Sequence, residues 1–233
     1  HILQMFKLTP ILLAMLYAVV MYRFSAWRMA RELDARSTVL ADKRLHDLTR
    51  RMAESLDLPR IQVHIYEIPQ VNGLAAPDGR IFITRGFHDR YRAGEVTAEE
   101  LSSVIAHELG HVALGHSRRR MIDFSGQNAV RVALNMVLGR LLPGLGTLLA
   151  NLVASLLAAR LSRSDEYEAD AYAAALLHKA GIGIGPQKSL FRKLEKLSGG
   201  AGGAPAWLLS HPMTHERVAA LEKLEARWTS VPG

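Results

Sequence analysis

The chain has 233 residues, 49% hydrophobic and 22% charged, enough apolar material for one sizeable domain with a core and too much for a disordered chain. It has no cysteine, which excludes disulfides, thiolate metal sites and cysteine nucleophiles. The net charge of +7 comes from scattered arginines, densest at Arg118 to Arg120, with no nucleic-acid motif around them; an anionic membrane surface suits this charge better than nucleic acid.

The stretch 8–27 carries Arg23 as its single charge, and twenty helical residues span about 30 Å, the thickness of a bilayer's hydrocarbon core. Tyr22 and Trp27 suit an interface, and Arg23 can snorkel. Arg23 and Phe24 stand where a signal-peptide cut wants small residues, so residues 1–28 read as an uncleaved transmembrane anchor ahead of a domain at 29–233. Lys7 precedes the stretch, whereas Arg23, Arg28, Arg31 and Arg36 follow it. This positive-inside bias predicts a single-pass membrane protein with its main domain on the cytoplasmic side.

Residues 37–58 place Leu40, Leu45, Leu48, Met52 and Leu56 among charges, an amphipathic helix that Pro59 ends. The alternation in 61–68 predicts a strand; Asn72-Gly73 and Pro77-Asp78-Gly79 are turn signals, and 80–84 is a second short strand. Thr97 with Glu100 three residues on forms a capping box, opening a helix that runs to about Gly115. Further helices are expected at 123–142, 145–161, 162–180, 186–197 and 214–228, with a loop at 199–205. Within them, 141–159 is uncharged but broken by Pro143 and Gly144; its length favours a buried or membrane-surface hairpin over a second crossing. The outline is a mostly helical α+β domain with a small sheet near its N-terminal edge.

The sharpest local signal is His107-Glu108-Leu109-Gly110-His111, inside the capped helix. Residues four apart on a helix differ by only about 40° in direction, so both imidazoles share a face at a spacing suited to one metal ion. Glu108 can reach a water on the ion's open side and act as general base. A catalytic zinc needs a third protein ligand. A histidine six residues after His111 is ruled out, because Ser117 stands there; His116, nine residues from His107, falls on the opposite face of a continuing helix and reads as structural or as a support to the ligands. A carboxylate from Arg163-Ser164-Asp165-Glu166-Tyr167-Glu168-Ala169-Asp170 is the other source. Glu166 and Asp170 share a helical face, so one can ligate while the other orients a ligand histidine; Glu166 leads, with Glu168 and Asp170 as alternatives. Asp165 and Glu168 point elsewhere, toward solvent or arginines.

These segments, followed by Ser210-His211-Pro212 and Glu216-Arg217-Val218, resemble the HtpX and CAAX-prenyl-protease family of gluzincin metallopeptidases, as do Val71 to Ala75 and Gly79 to Thr84. The resemblance covers about 63–218 in order. It implies a zincin-like metallopeptidase fold, zinc (Zn2+) at His107, His111 and Glu166, Glu108 as base and Asp170 behind the ligands. It also implies a protein or peptide substrate and a role in protein quality control. In that setting His211 becomes a candidate catalytic donor to the developing oxyanion, and Arg217 a partner for a nearby carboxylate. The strand 81–84 is expected to align an extended substrate by β-addition. The sequence departs from the family at Gly73 and Leu74, where alanine and an aromatic are usual. The competing reading is a catalytically silent zinc-binding scaffold at the membrane, which would have no need of Glu108.

Overall fold

A computed structural model describes residues 2–116, 146–198, 205–213 and 215–230, with side chains described from Leu12 onward except at positions 14, 18 and 146–161. In chain order the elements are α1 (Ile2–Ala35), β1 (Ser37–Val39), α2 (Lys43–Ser55), β2 (Val63–Tyr66), β3 (Gly73–Ala75) and β4 (Ile81–Thr84). There follow α3 (Arg85–Arg92), α4 (Ala98–Ala113), α5 (Gly146–Lys179), α6 (Gly185–Ser198), α7 (Ala206–Ser210) and α8 (His215–Ser230). The chain is mostly helical with a small mixed sheet, and it divides into two compact units, 1–35 with 117–163 and 36–116 with 164–233.

In the first unit, α1 exposes Leu12, Leu13, Leu16, Val19, Val20 and Phe24. Among the described residues no helix is long and apolar enough to cross a membrane. Within the stretch 8–27, the side chains of 8–11, 14 and 18 lie outside the described residues, as do the helix expected at 123–142 and the start of 141–159. From Gly146 onward α5 is one continuous helix rather than the two expected to meet near 161. No glycine or proline occurs from Thr147 to Ala180, so nothing interrupts its hydrogen-bond ladder.

The second unit holds a four-stranded sheet in the order β1-β2-β4-β3. β2 and β4 run parallel, with Val63 opposite Ile81, and the outer strands pair antiparallel to them. Residues 37–39, expected at the start of a helix, instead pair with β2, Ser37 opposite Tyr66. The helix begins after Asp42, whose side chain accepts the Leu45 N–H at 2.9 Å. β4 is not the substrate-facing strand expected: β2 and β3 occupy both of its edges, and all four of its residues are buried. The free edge on that side belongs to β3, in the segment read as a turn around Asn72-Gly73.

α4 packs against α2, α6, β3 and β4 and is buried without interruption from Leu101 to His111. Leu101, Val104 and Ile105 anchor it in the core, each burial stabilising by about 1.5–3 kcal/mol. Its start is fixed by the expected capping box: Thr97 Oγ1 accepts the Glu100 N–H at 3.1 Å, and Glu100 Oε2 accepts the Thr97 N–H at 2.8 Å. A rigid, dry helix therefore carries the polar HExxH residues.

Candidate metal centre

Three segments converge on one point of the second unit. His107, Glu108 and His111 come from α4, Glu166 and Asp170 from α5, and His211 from the residue that ends α7. Close approach of α4 and α5 depends on Gly110: a Cβ there would lie 3.1 Å from the Ala169 carbonyl oxygen and 3.2 Å from the Ala169 Cα. Ala169 sits between Glu166 and Asp170, so this backbone contact delivers both carboxylates to the imidazoles.

His107 Nε2 and His111 Nε2 face each other at 3.1 Å. Glu166 completes the triangle, with Oε2 at 3.3 Å from His107 Nε2 and Oε1 at 3.5 Å from His111 Nε2. His211 Nδ1 joins from the open side, 3.3 Å from His107 Nε2 and 2.9 Å from Glu166 Oε2. One ligand atom from each of these four buried residues falls within 4.8 Å of the others. Tetrahedral ligands at about 2.0–2.1 Å from zinc stand about 3.3–3.4 Å apart, so the spacing fits that ion. The far nitrogens fit too. His107 Nδ1 lies 2.9 Å from Asp170 Oδ1, and His111 Nδ1 lies 3.0 Å from His116 Nδ1. With the protons drawn outward to those acceptors, two Nε2 lone pairs point at each other, an arrangement that a cation between them makes favourable.

The electrostatics differ between the two imidazoles: burial would lower the His107 pKa, but Asp170 and Glu166 raise it. Burial pulls the His111 pKa down to about 4, keeping the imidazole neutral as a ligand must be. Burial alone would raise the Glu108 pKa, but His211, His107 and His111 outweigh it and hold the carboxyl at about 2. Burial would lower the His211 pKa, yet Glu108 and Glu166 push it up to about 9. Burial opposes ionisation of Asp170, but Arg217 and His107 keep its pKa below the ordinary value.

The sequence missed several participants. Trp207, fully buried, donates its Nε1–H to Glu108 Oε1 at 3.1 Å and lies 5.1 Å, ring centre to ring centre, from His211. It stands four residues before His211, a helical spacing that was the available signal. Arg217 pairs with a carboxylate as read, and that carboxylate is Asp170; it also donates to the Pro212 carbonyl at 2.8 Å, tying down the loop that carries His211. His116 was placed on the far face of a continuing helix, but α4 ends at Ala113. Gly115, at φ +72°, turns the chain so that His116 folds back beneath His111. Glu168 meets solvent, as read, whereas Asp165 is buried; His116 Nε2 lies 3.0 Å from Glu168 Oε2 and 3.6 Å from Asp165 Oδ1.

A buried HExxH helix, a carboxylate from a second helix and a small mixed sheet define a zinc metalloprotease. The sequence profile of peptidase family M48 matches residues 40–225, and the chain belongs to that family. It is similar to the metalloprotease LoiP of Escherichia coli, with 31% identity over 80% of this chain and 73% of the relative. It is also similar to a protease HtpX homolog of Salinibacter ruber, with 30% identity over 93% of this chain and 88% of the relative. The human mitochondrial metalloendopeptidase OMA1 shares 27% identity over 70% of this chain and 32% of its own length. The protein is thus a zinc-dependent endopeptidase of the HtpX-like M48 group, as the motifs implied.

Proposed function

We propose that His107, His111 and Glu166 hold the catalytic zinc, with Glu108 as general base and Asp170 orienting His107. The observation that carries this is the 3.1 Å approach of two Nε2 atoms whose Nδ1 atoms lie 2.9 Å from Asp170 Oδ1 and 3.0 Å from His116 Nδ1. Zinc bound there supplies Lewis-acid chemistry, polarising a peptide carbonyl and acidifying a water. Glu108 stays ionised at neutral pH and would take the proton from a water as that water's oxygen adds to the peptide carbonyl carbon. Trp207 engages Oε1, so Oε2 is the oxygen turned to this task. Glu108 then passes the proton to the leaving amine.

The substrate strand pairs with β3, whose residues Gly73 and Ala75 alternate outward from β4. Gly73 suits that path, since a Cβ there would lie 2.8 Å from Val104 Cγ1 and 3.6 Å from Glu108 Cγ. His211 is the proposed donor to the developing oxyanion. Its Nδ1 distances to His107 and Glu166 favour a second role, as a fourth ligand that must withdraw before a substrate enters. His211→Phe separates the two: activity falls about 10²–10³-fold if it is the oxyanion donor and rises if it blocks the site.

Residues 1–28 anchor the protein in a membrane, with the domain 29–233 on the cytoplasmic face acting in protein quality control. The exposed apolar side chains of α1 and the arginines that follow them support this reading. Metal content and casein cleavage test the site: wild type and Glu108→Gln should each bind one zinc, and only wild type should cleave. Equal cleavage by both would overturn the proposal. Alkaline carbonate extraction tests the anchor, which fails if the full chain is released.

A further inference from the structure

The two proposed imidazole ligands are supported differently. His107 is backed by Asp170, itself clamped by Arg217, whereas His111 is backed by a second imidazole, that of His116. His116 is fully buried, with Nδ1 at 3.0 Å from His111 Nδ1 and Nε2 at 3.0 Å from Glu168 Oε2. Glu168 is half-exposed, and Ser164 Oγ lies 3.4 Å from its other oxygen.

We infer that His116 is a positioning residue for metal capture and that Glu168 sets its tautomer, an inference that rests on the reading of His111 as a ligand. Two nitrogens at 3.0 Å make a hydrogen bond only if one carries the proton and the other a lone pair. A carboxylate accepts and does not donate, so Glu168 draws the His116 proton to Nε2 and leaves a lone pair on Nδ1. That lone pair accepts Nδ1–H of His111, which leaves His111 Nε2 unprotonated and facing His107 and Glu166. The chain of bonds has one direction, fixed from its carboxylate end. With His116 in the other tautomer, two N–H groups would confront each other. His111 would then have to move its proton to Nε2, the form that cannot ligate. Burial strengthens the device, because no solvent competes for the shared proton. The positive φ of Gly115 makes it possible by turning the chain back after α4.

Zinc affinity of the full-length protein, measured by competition with a chromophoric chelator, tests this together with the visible spectrum of the cobalt-substituted form. His116→Leu should weaken zinc binding about 10–100-fold and shift the cobalt bands. His116→Asn places an acceptor oxygen near the Nδ1 position and should restore most of the affinity and the spectrum. Glu168→Ala, at a half-exposed position that folding tolerates, should weaken zinc several-fold. Wild-type affinity in His116→Leu overturns the inference; where that variant does not fold, wild-type affinity in Glu168→Ala does so. Equal losses in His116→Leu and His116→Asn would mean that His116 only fills space, which also overturns it. His111→Ala separates the underlying reading, since undiminished zinc binding in that variant means His111 is no ligand.

Discussion

Arg217 grips Asp170 through two hydrogen bonds inside the protein, Nε to Oδ2 at 2.6 Å and Nη2 to Oδ1 at 2.8 Å. The pair links α8 to the helix that presents Glu166, and it leaves Asp170 charged where His107 needs an acceptor. Arg217→Met should strand a buried carboxylate and cost about 3–5 kcal/mol of stability. Thermal denaturation of the metal-free protein measures this directly. A loss under 1 kcal/mol would mean that water or another cation replaces the guanidinium.

Replacing Glu108 by glutamine removes the base while keeping the size and an acceptor for Trp207. We predict a loss of about 10²–10⁴-fold in kcat/KM with zinc stoichiometry unchanged. Activity within tenfold of wild type would assign the proton transfer to another group, and His211 would be the first to examine.

One source of acid sensitivity lies away from the proposed metal site. Glu100 is buried, and burial alone would raise its pKa. Hydrogen bonds from Lys193 Nζ (2.8 Å), Ser189 Oγ (2.6 Å) and the Thr97 N–H (2.8 Å) hold it below its ordinary value of 4.5. A depressed folded-state pKa contributes stability that is fully present above 4.5 and is lost as pH falls through the folded value. Glu100→Gln should therefore lose about 1–2 kcal/mol at pH 7. The gap to wild type should close as pH falls below the ordinary carboxylate range. Urea denaturation across pH reads the difference, and a gap that stays constant into acid would exclude the charge as its source.

The sequence made the chemistry legible more than the architecture around it. The HExxH spacing, the Thr97–Glu100 box and the shared face of Glu166 and Asp170 are local, helical relationships, and local rules read them. β1 and β3 are three residues each and exist because a neighbouring strand pairs with them, information that lies elsewhere in the chain. Asn72-Gly73 looked like a turn because glycine suits turns, whereas Gly73 is needed for close approach to Val104. Thr84 hid α3 by serving two elements: it is the last residue of β4 and also the cap that accepts the Phe87 N–H. Trp207 reaches Glu108 only through tertiary folding, and His116 reaches His111 through the turn at Gly115 rather than a helical repeat, so helical spacing tied neither to its partner.

Gly110 offers a test of how tightly the two site helices must fit. In a free helix, glycine to alanine gains about 1 kcal/mol from propensity. Here the new methyl would press on the backbone of α5, 3.1 Å from the Ala169 carbonyl oxygen, and on Tyr172 Cδ1 at 3.2 Å. Backbone yields less readily than a side chain, and such overpacking costs about 1–3 kcal/mol. Gly110→Ala should come out destabilised by about 1–2 kcal/mol, the crowding outweighing propensity. Because Ala169 lies between Glu166 and Asp170, displacement of α5 should also move both carboxylates outward and weaken zinc binding. Gly185→Ala is the control, since a Cβ at the start of α6 meets nothing within 4 Å and should leave zinc affinity unchanged. Calorimetric melting and a zinc titration decide the matter. A Gly110→Ala protein that melts higher and binds zinc as before would show that the helices part without disturbing the ligands.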